Sequence, residues 1–204
     1  MEFKELDAKI RKYTLVDSGR TKVLYDLLNE TRYYPGDVFE CGVFKGGTAM
    51  MLAKMTSVNK KLYLFDTFGE GLPEVNSKKD NYHKKGDFNG IDFDTIINRV
   101  ASIQPNCNVQ FIPGFIPDTF KGLDQKDIKV SFAHIDVDIY QSVKDCCEFI
   151  YPRMTDCGII LFDDYGFATC KGAKLAVDEF FSDKPEKVEV LNTKQAIVRR
   201  QKFK

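Results

Sequence analysis

Four of the five short apolar runs in this chain end on carboxylates, at Glu40, at Asp66, at Asp136 with Asp138, and at Asp163 with Asp164. The runs cover residues 37–40, 61–65, 108–112, 129–135 and 158–162, each too short for a buried helix and each bounded by turn residues or charge. Between them lie helical patterns at 48–55, 94–103, 117–123, 140–151 and 171–181. Strands alternating with helices specify an α/β fold, a doubly wound, mostly parallel sheet with right-handed crossovers. Two further runs, 188–191 and 195–198, are joined by Asn192-Thr193 and read as an antiparallel hairpin at the end of that sheet. Residues 1–35 carry two helices broken near 17–19, an N-terminal helical extension to one domain spanning 1–204. In such sheets ligands sit outside the carboxyl ends of the strands, so the acidic strand ends are expected on one rim.

The first run passes directly into Glu40-Cys41-Gly42-Val43-Phe44-Lys45-Gly46-Gly47, a strand, a glycine turn and a helix start. Glycines permit the tight backbone there and let a ligand approach the main chain. The pattern has neither G-x-G-x-x-G spacing nor the Lys-Ser/Thr ending of a phosphate loop. A carboxylate before the turn repels a pyrophosphate but accepts a hydrogen bond from the ammonium of an amino-acid ligand. Asp66, at the end of the next run, suits the two hydroxyls of a ribose. An amino acid and a nucleoside in one cationic ligand describe S-adenosylmethionine. The candidate donor-binding residues are Glu40, Cys41, Gly42, Gly46, Gly47 and Thr48, then Asp66, Thr67 and Phe68, with Phe115 as a wall. The bland alternative is a tightened strand-to-helix connection with Asp66 as a cap.

Carboxylates gathered at the fourth and fifth strand ends repel unless protons or a cation neutralise them. Oxygen donors suit hard divalent ions, Mg²⁺ first and then Ca²⁺ or Mn²⁺. Asp136, Asp163 and Asp164 rank above Asp138 as ligands, because Asp138 lies beyond the strand end. Adjacent aspartates also cap helices, which is the alternative reading of Asp163 and Asp164. Residues 69–89 form a long polar loop that holds His83, an imidazole able to take a hydroxyl proton. His134, inside an apolar run, reads as a satisfied core residue, and Cys146 and Cys147 as buried thiols. Phe68, Tyr82, Phe88 and Phe115 are wall or core.

The 30 basic and 30 acidic side chains cancel, which removes the electrostatic case for nucleic-acid or membrane-surface binding. No run approaches the length of a membrane helix. Six cysteines occur without a zinc-ligand spacing and behind a charged N-terminus, which points to reduced thiols and the cytoplasm.

The blocks 36–47, 65–73, 114–120, 135–142, 151–153 and 163–165, followed by Cys170 and 177–180, resemble in order the metal-dependent sugar O-methyltransferases typified by macrocin O-methyltransferase. The resemblance implies a seven-stranded Rossmann-like methyltransferase sheet. It also implies S-adenosylmethionine at Glu40, Gly42 and Asp66, Mg²⁺ at Asp136, Asp163 and Asp164, and a sugar hydroxyl as acceptor. The base is left between His83 and Asp136, and a homo-oligomer is left open. This chain departs from the family's pattern at Phe44, Lys45 and Thr67, where tryptophan, arginine and serine are expected, and it is short at its N-terminus. Two rivals stand: a nucleotide-sugar or NAD-linked enzyme, which wants a phosphate-compatible turn, and a noncatalytic binding module that keeps the fold.

Overall fold

In the computed structural model, which describes residues 1–123 and 127–202, seven strands form one sheet. They are β1 (Asp37–Cys41), β2 (Leu62–Asp66), β3 (Val109–Pro113), β4 (Val130–Ile135), β5 (Met154–Phe162), β6 (Glu189–Val190) and β7 (Ala196–Arg199). Their order across the sheet is β3-β2-β1-β4-β5-β7-β6. The first five are parallel, and β7 runs antiparallel between β5 and β6. Strand order reverses between β1 and β4, which opens a crevice at their carboxyl ends.

Side-chain alternation along each strand feeds two cores. Val38, Leu62, Leu64, Phe132, Ile159 and Leu161 pack on one face with α1 (Phe3–Ile10), α2 (Ser18–Glu30), α3 (Gly47–Met55) and α4 (Phe93–Ile103). Phe39, Phe65, Ile135, Ile160 and Phe162 pack on the other with α6 (Tyr140–Ile150) and α7 (Lys171–Phe181), beside the short α5 (Asp118–Lys121). Helix α3 is buried almost all round, which is why its sequence, GTAMMLAKM, carries one charge in nine residues. Helix α2 is amphipathic, burying Thr21, Leu24, Leu27 and Leu28, and starts at Asp17, whose side chain accepts from the backbone N–H groups of Gly19 and Arg20.

The parallel sheet and the C-terminal antiparallel strands agree with the sequence reading, and the differences are local. β5 begins at Met154, four residues earlier than expected. Its first part pairs with Val130 across a register irregularity, and Cys157 takes a positive φ of 61°. A bulged half-strand does not show as an apolar run. The helix expected at 117–123 is confined to Asp118–Lys121. The polar stretch 69–89 contains no helix or strand but is tied down. Leu72 donates to the Asp87 carbonyl at 2.8 Å and Gly86 to the Leu72 carbonyl at 2.9 Å. The buried Asp80 carboxylate accepts from the Tyr140 N–H at 3.0 Å, where α6 begins.

Candidate active site

The crevice is a cavity of about 430 Å³, within the range of small-molecule sites. The glycine turn forms its floor. Gly42 has φ 91°, and a Cβ there would overlap the carbonyl oxygen of Asp136, so β1 and β4 meet backbone to backbone. A Cβ on Gly47 would press on the backbone of Tyr13, which lets the N-terminal extension close over the turn. Tyr13, Thr14, Leu15, Val16 and Arg20 accordingly line the cavity. This wall was not legible in the sequence, where the extension reads only as amphipathic helices.

Glu40 is fully buried and is not on the cavity lining. Its Oε1 lies 3.1 Å from His134 Nδ1, while Oε2 has no hydrogen-bond partner. Burial pushes the Glu40 carboxyl up, against the pull of His134. Asp66 lines the cavity and fixes the turn: Oδ2 accepts from the N–H groups of Val43 at 2.7 Å and Phe44 at 2.9 Å, and Oδ1 accepts from Phe68 at 2.7 Å. A carboxylate has about four acceptor positions, so Asp66 keeps capacity for a ligand hydroxyl. Thr67 bonds Gly71 across the start of the long loop and lines the cavity with Thr48.

Of the other donor-site candidates, Cys41, Gly46, Gly47 and Phe68 lie off the cavity lining. Phe68 packs in the core against Phe93, ring centroids 4.6 Å apart, and Cys41 is buried on the opposite face of the sheet. Gly46 and Gly47 shape the turn from behind. Phe115 lines the cavity, as do Phe44 and Phe88, which meet edge to face at 5.5 Å. Phe44 and Lys45, two of the three departures from the family pattern, keep local roles, with the Lys45 carbonyl accepting from Arg99 at 2.9 Å.

At the far end Asp136, Asp138 and Asp164 each bring an oxygen within 4.8 Å of the others. Burial, then the charges of Asp163 and Asp164, push Asp136 well above the carboxylate range. Burial and Asp164 do the same to Asp138, and burial and Asp163 raise Asp164 to about 7. Asp163, although adjacent, turns away. It is fully buried and ion-paired with Arg20 of α2, and it accepts from Gln195 Nε2 at 2.7 Å. Burial opposes its ionisation, but His134 and Arg20 outweigh this and hold it below the usual range.

His134 is fully buried, as the sequence reading has it, and both ring nitrogens face carboxylates. It stands between Glu40 and Asp163, 3.7 Å from the latter, and those two outweigh the depressing effect of burial and raise its pKa well above the ordinary value. The alternation of β4 carries the signal, since residues 132, 134 and 136 share a face with 38 and 40 of β1. His83 reaches the cavity from the long loop, 8% exposed, with Nε2 3.5 Å from Asp138 Oδ1.

Sheet order, glycine turn and acidic rim together define a Rossmann-like methyltransferase fold, and solved structures agree. The O-methyltransferase NovP superposes with a TM-score of 0.79 at 22% identity, covering 93% of this chain and 83% of that one. The calicheamicin methyltransferase CalS11 gives 0.75 at 17% identity, covering 97% and 90%. The chain belongs to the macrocin O-methyltransferase (TylF) family, whose model matches residues 4–196. It is 27% identical over 154 residues to the 8-demethyl-8-(2,3-dimethoxy-alpha-L-rhamnosyl)-tetracenomycin-C 4'-O-methyltransferase of Streptomyces olivaceus, covering 68% of this chain and 56% of that one. It is 26% identical over 154 residues to the mycinamicin III 3''-O-methyltransferase of Micromonospora griseorubida, covering 68% and 59%. The match therefore spans little more than half the length of these curated relatives.

Proposed function

We propose that this protein transfers the methyl group of S-adenosylmethionine to a hydroxyl of a sugar-bearing small molecule, with a divalent cation at the carboxylate cluster. The observation that carries the reading is a cavity floored by the glycine turn and Asp66 and ending in clustered carboxylates, with Glu40 buried on β1 just before the turn, off the cavity lining, and its Oε2 without a hydrogen-bond partner. An orphaned buried carboxylate oxygen is costly and fits the ammonium of the donor's amino-acid end. Asp66 fits the ribose, and Phe44, Phe88 and Phe115 offer apolar walls. Bound S-adenosylmethionine supplies a methyl group on a sulfonium, a good leaving group. Family relatives named for sugar methylation support the acceptor class.

Three neighbouring carboxylates, raised by burial and then by one another's charge, fit a hard cation, Mg²⁺ first. Such an ion supplies positive charge that favours the ionised acceptor hydroxyl. Asp136 and Asp164 are common to the sequence reading and to the cluster. Asp138 takes the third place while Arg20 holds Asp163, and Asp163 takes it where that ion pair is released. His83 Nε2 accepts the hydroxyl proton, with Asp136 as the second reading because it lines the same wall. The extension 13–16 and the loop 69–89 exclude water from the reacting groups. Six free thiols support a reducing, cytoplasmic setting.

A methyl-transfer screen over sugars, nucleotide sugars and catechols with Mg²⁺, read by mass spectrometry, tests the proposal. A singly methylated sugar-bearing product that disappears with excess EDTA is expected, and His83→Ala should lower kcat by about a hundredfold. Undiminished turnover in EDTA overturns the metal role, and a loss under about tenfold removes His83 as the base.

A further inference from the structure

We propose that His83, Asp138 and Cys170 form a second metal site, selective for a borderline-soft divalent ion, Zn²⁺ first, beside the oxygen-only cluster and sharing Asp138 with it. His83 Nε2 lies 3.5 Å from Cys170 Sγ and 3.5 Å from Asp138 Oδ1, and that oxygen lies 3.7 Å from Cys170 Sγ. Ligands on one tetrahedral ion, at bond lengths of about 2.0 Å to nitrogen or oxygen and about 2.3 Å to sulfur, stand roughly 3.3–3.7 Å apart. The three atoms therefore already occupy one face of a zinc tetrahedron, with the fourth direction open to the cavity that all three residues line.

The surroundings are those of a ligand set. His83 Nδ1 is buried without a hydrogen-bond partner and lies 3.6 Å from Asp87 Oδ2, which aligns a carboxylate, an imidazole and the proposed ion. Thr169 Oγ1, 3.4 Å from Cys170 Sγ, is placed to donate to a thiolate. Asp80, bonded to the start of α6, pins the loop that carries His83. One nitrogen, one sulfur and one oxygen select against Mg²⁺ and for Zn²⁺. Binding forms the metal–sulfur bond and releases the thiol proton to solvent. The binding claim does not rest on the methyl-transfer reading. If His83 is the base there, occupancy takes the nitrogen that would accept the proton, and Zn²⁺ then inhibits turnover supported by Mg²⁺.

The test is titration of the metal-free full chain with Co²⁺ and then Zn²⁺, followed by optical absorption. The expected result is one equivalent of Co²⁺ with a near-ultraviolet thiolate charge-transfer band and strong tetrahedral visible bands, both displaced by Zn²⁺ and not by Mg²⁺. Cys170→Ser should abolish the charge-transfer band and weaken Zn²⁺ binding at least about tenfold, with thermal midpoint and circular dichroism retained. If Cys170→Ser does not fold, His83→Asn carries the test, expected to weaken Zn²⁺ by the same factor. Absence of the band in the wild type overturns the proposal and leaves a hydrogen-bonded knot. So does a band unchanged in the folded Cys170→Ser protein, which would assign it to another cysteine, or Zn²⁺ affinity unchanged in the folded His83→Asn protein, which would leave the imidazole outside the ligand set.

Discussion

Gly42 shows how one residue fixes this site. Its positive φ is open to glycine, and its missing side chain is what allows the Asp136 carbonyl to lie against it. Gly42→Ala must separate β1 from β4 at the cavity floor. We expect a loss of at least about 2 kcal/mol, a fall of roughly 4–8 °C in the thermal midpoint of a chain this size. A midpoint within 1 °C of wild type, read by calorimetry, would show that the strand ends are looser than described. The glycine was legible as a constraint because so few residues tolerate that backbone. Its neighbour across the sheet was not, since no local pattern in the sequence reveals a contact between residues 42 and 136. The same holds for His134, which the apolar run around it disguises as an ordinary core residue.

At the scale of elements, α2 reaches the cavity wall through Arg20, which ion-pairs with the buried Asp163 and stacks over Phe167 at 4.9 Å. Arg20 and Asp163 are 143 positions apart, so the pair is invisible to any sequence window. The strand ends that make the carboxylate rim were legible, because each is a short apolar run closed by an acid. Which acids face one another was not, because Asp163 and Asp164 are adjacent and one of them is claimed by α2. Arg20→Ala leaves the buried Asp163 carboxylate with Gln195 and His134 but without its arginine, and should destabilise the fold by about 3 kcal/mol, measured by urea unfolding. The same variant frees Asp163 as a ligand, so divalent-ion affinity in calorimetry should rise. Unchanged affinity in a folded Arg20→Ala protein would leave Asp163 outside the metal set.

Across the whole molecule the C-terminal strands close the sheet, and Glu186 anchors the segment leading into them. It is buried, accepts from Tyr151 Oη at 2.7 Å, and pairs with Arg200 at 2.9 Å. Burial opposes its ionisation, but these hydrogen bonds prevail and hold it below the usual glutamate value. A carboxyl depressed by folding stabilises above its unfolded pKa of 4.5, and the stabilisation fades as pH falls through the lower folded value. Glu186→Gln should therefore unfold at lower urea than wild type at pH 7, with the gap narrowing below about pH 4. A gap that stays constant to pH 3 would mean that the loss is packing and not charge.

The alternation of strands and helices, the antiparallel ending and the acidic rim follow from sequence periodicity, whereas the cavity closes only through the N-terminal extension, which periodicity alone does not place. The proposed methyl-donor site assigns the donor's ammonium to Glu40, buried on β1 just before the glycine turn. Calorimetric titration of S-adenosylhomocysteine into wild type and Glu40→Gln, with NAD as control, tests it most directly. We predict one site per chain, binding at least about tenfold weaker in Glu40→Gln, as expected for loss of a charge-assisted hydrogen bond, and no heat from NAD. Equal affinity in the two proteins, or saturable binding of NAD, would contradict the account.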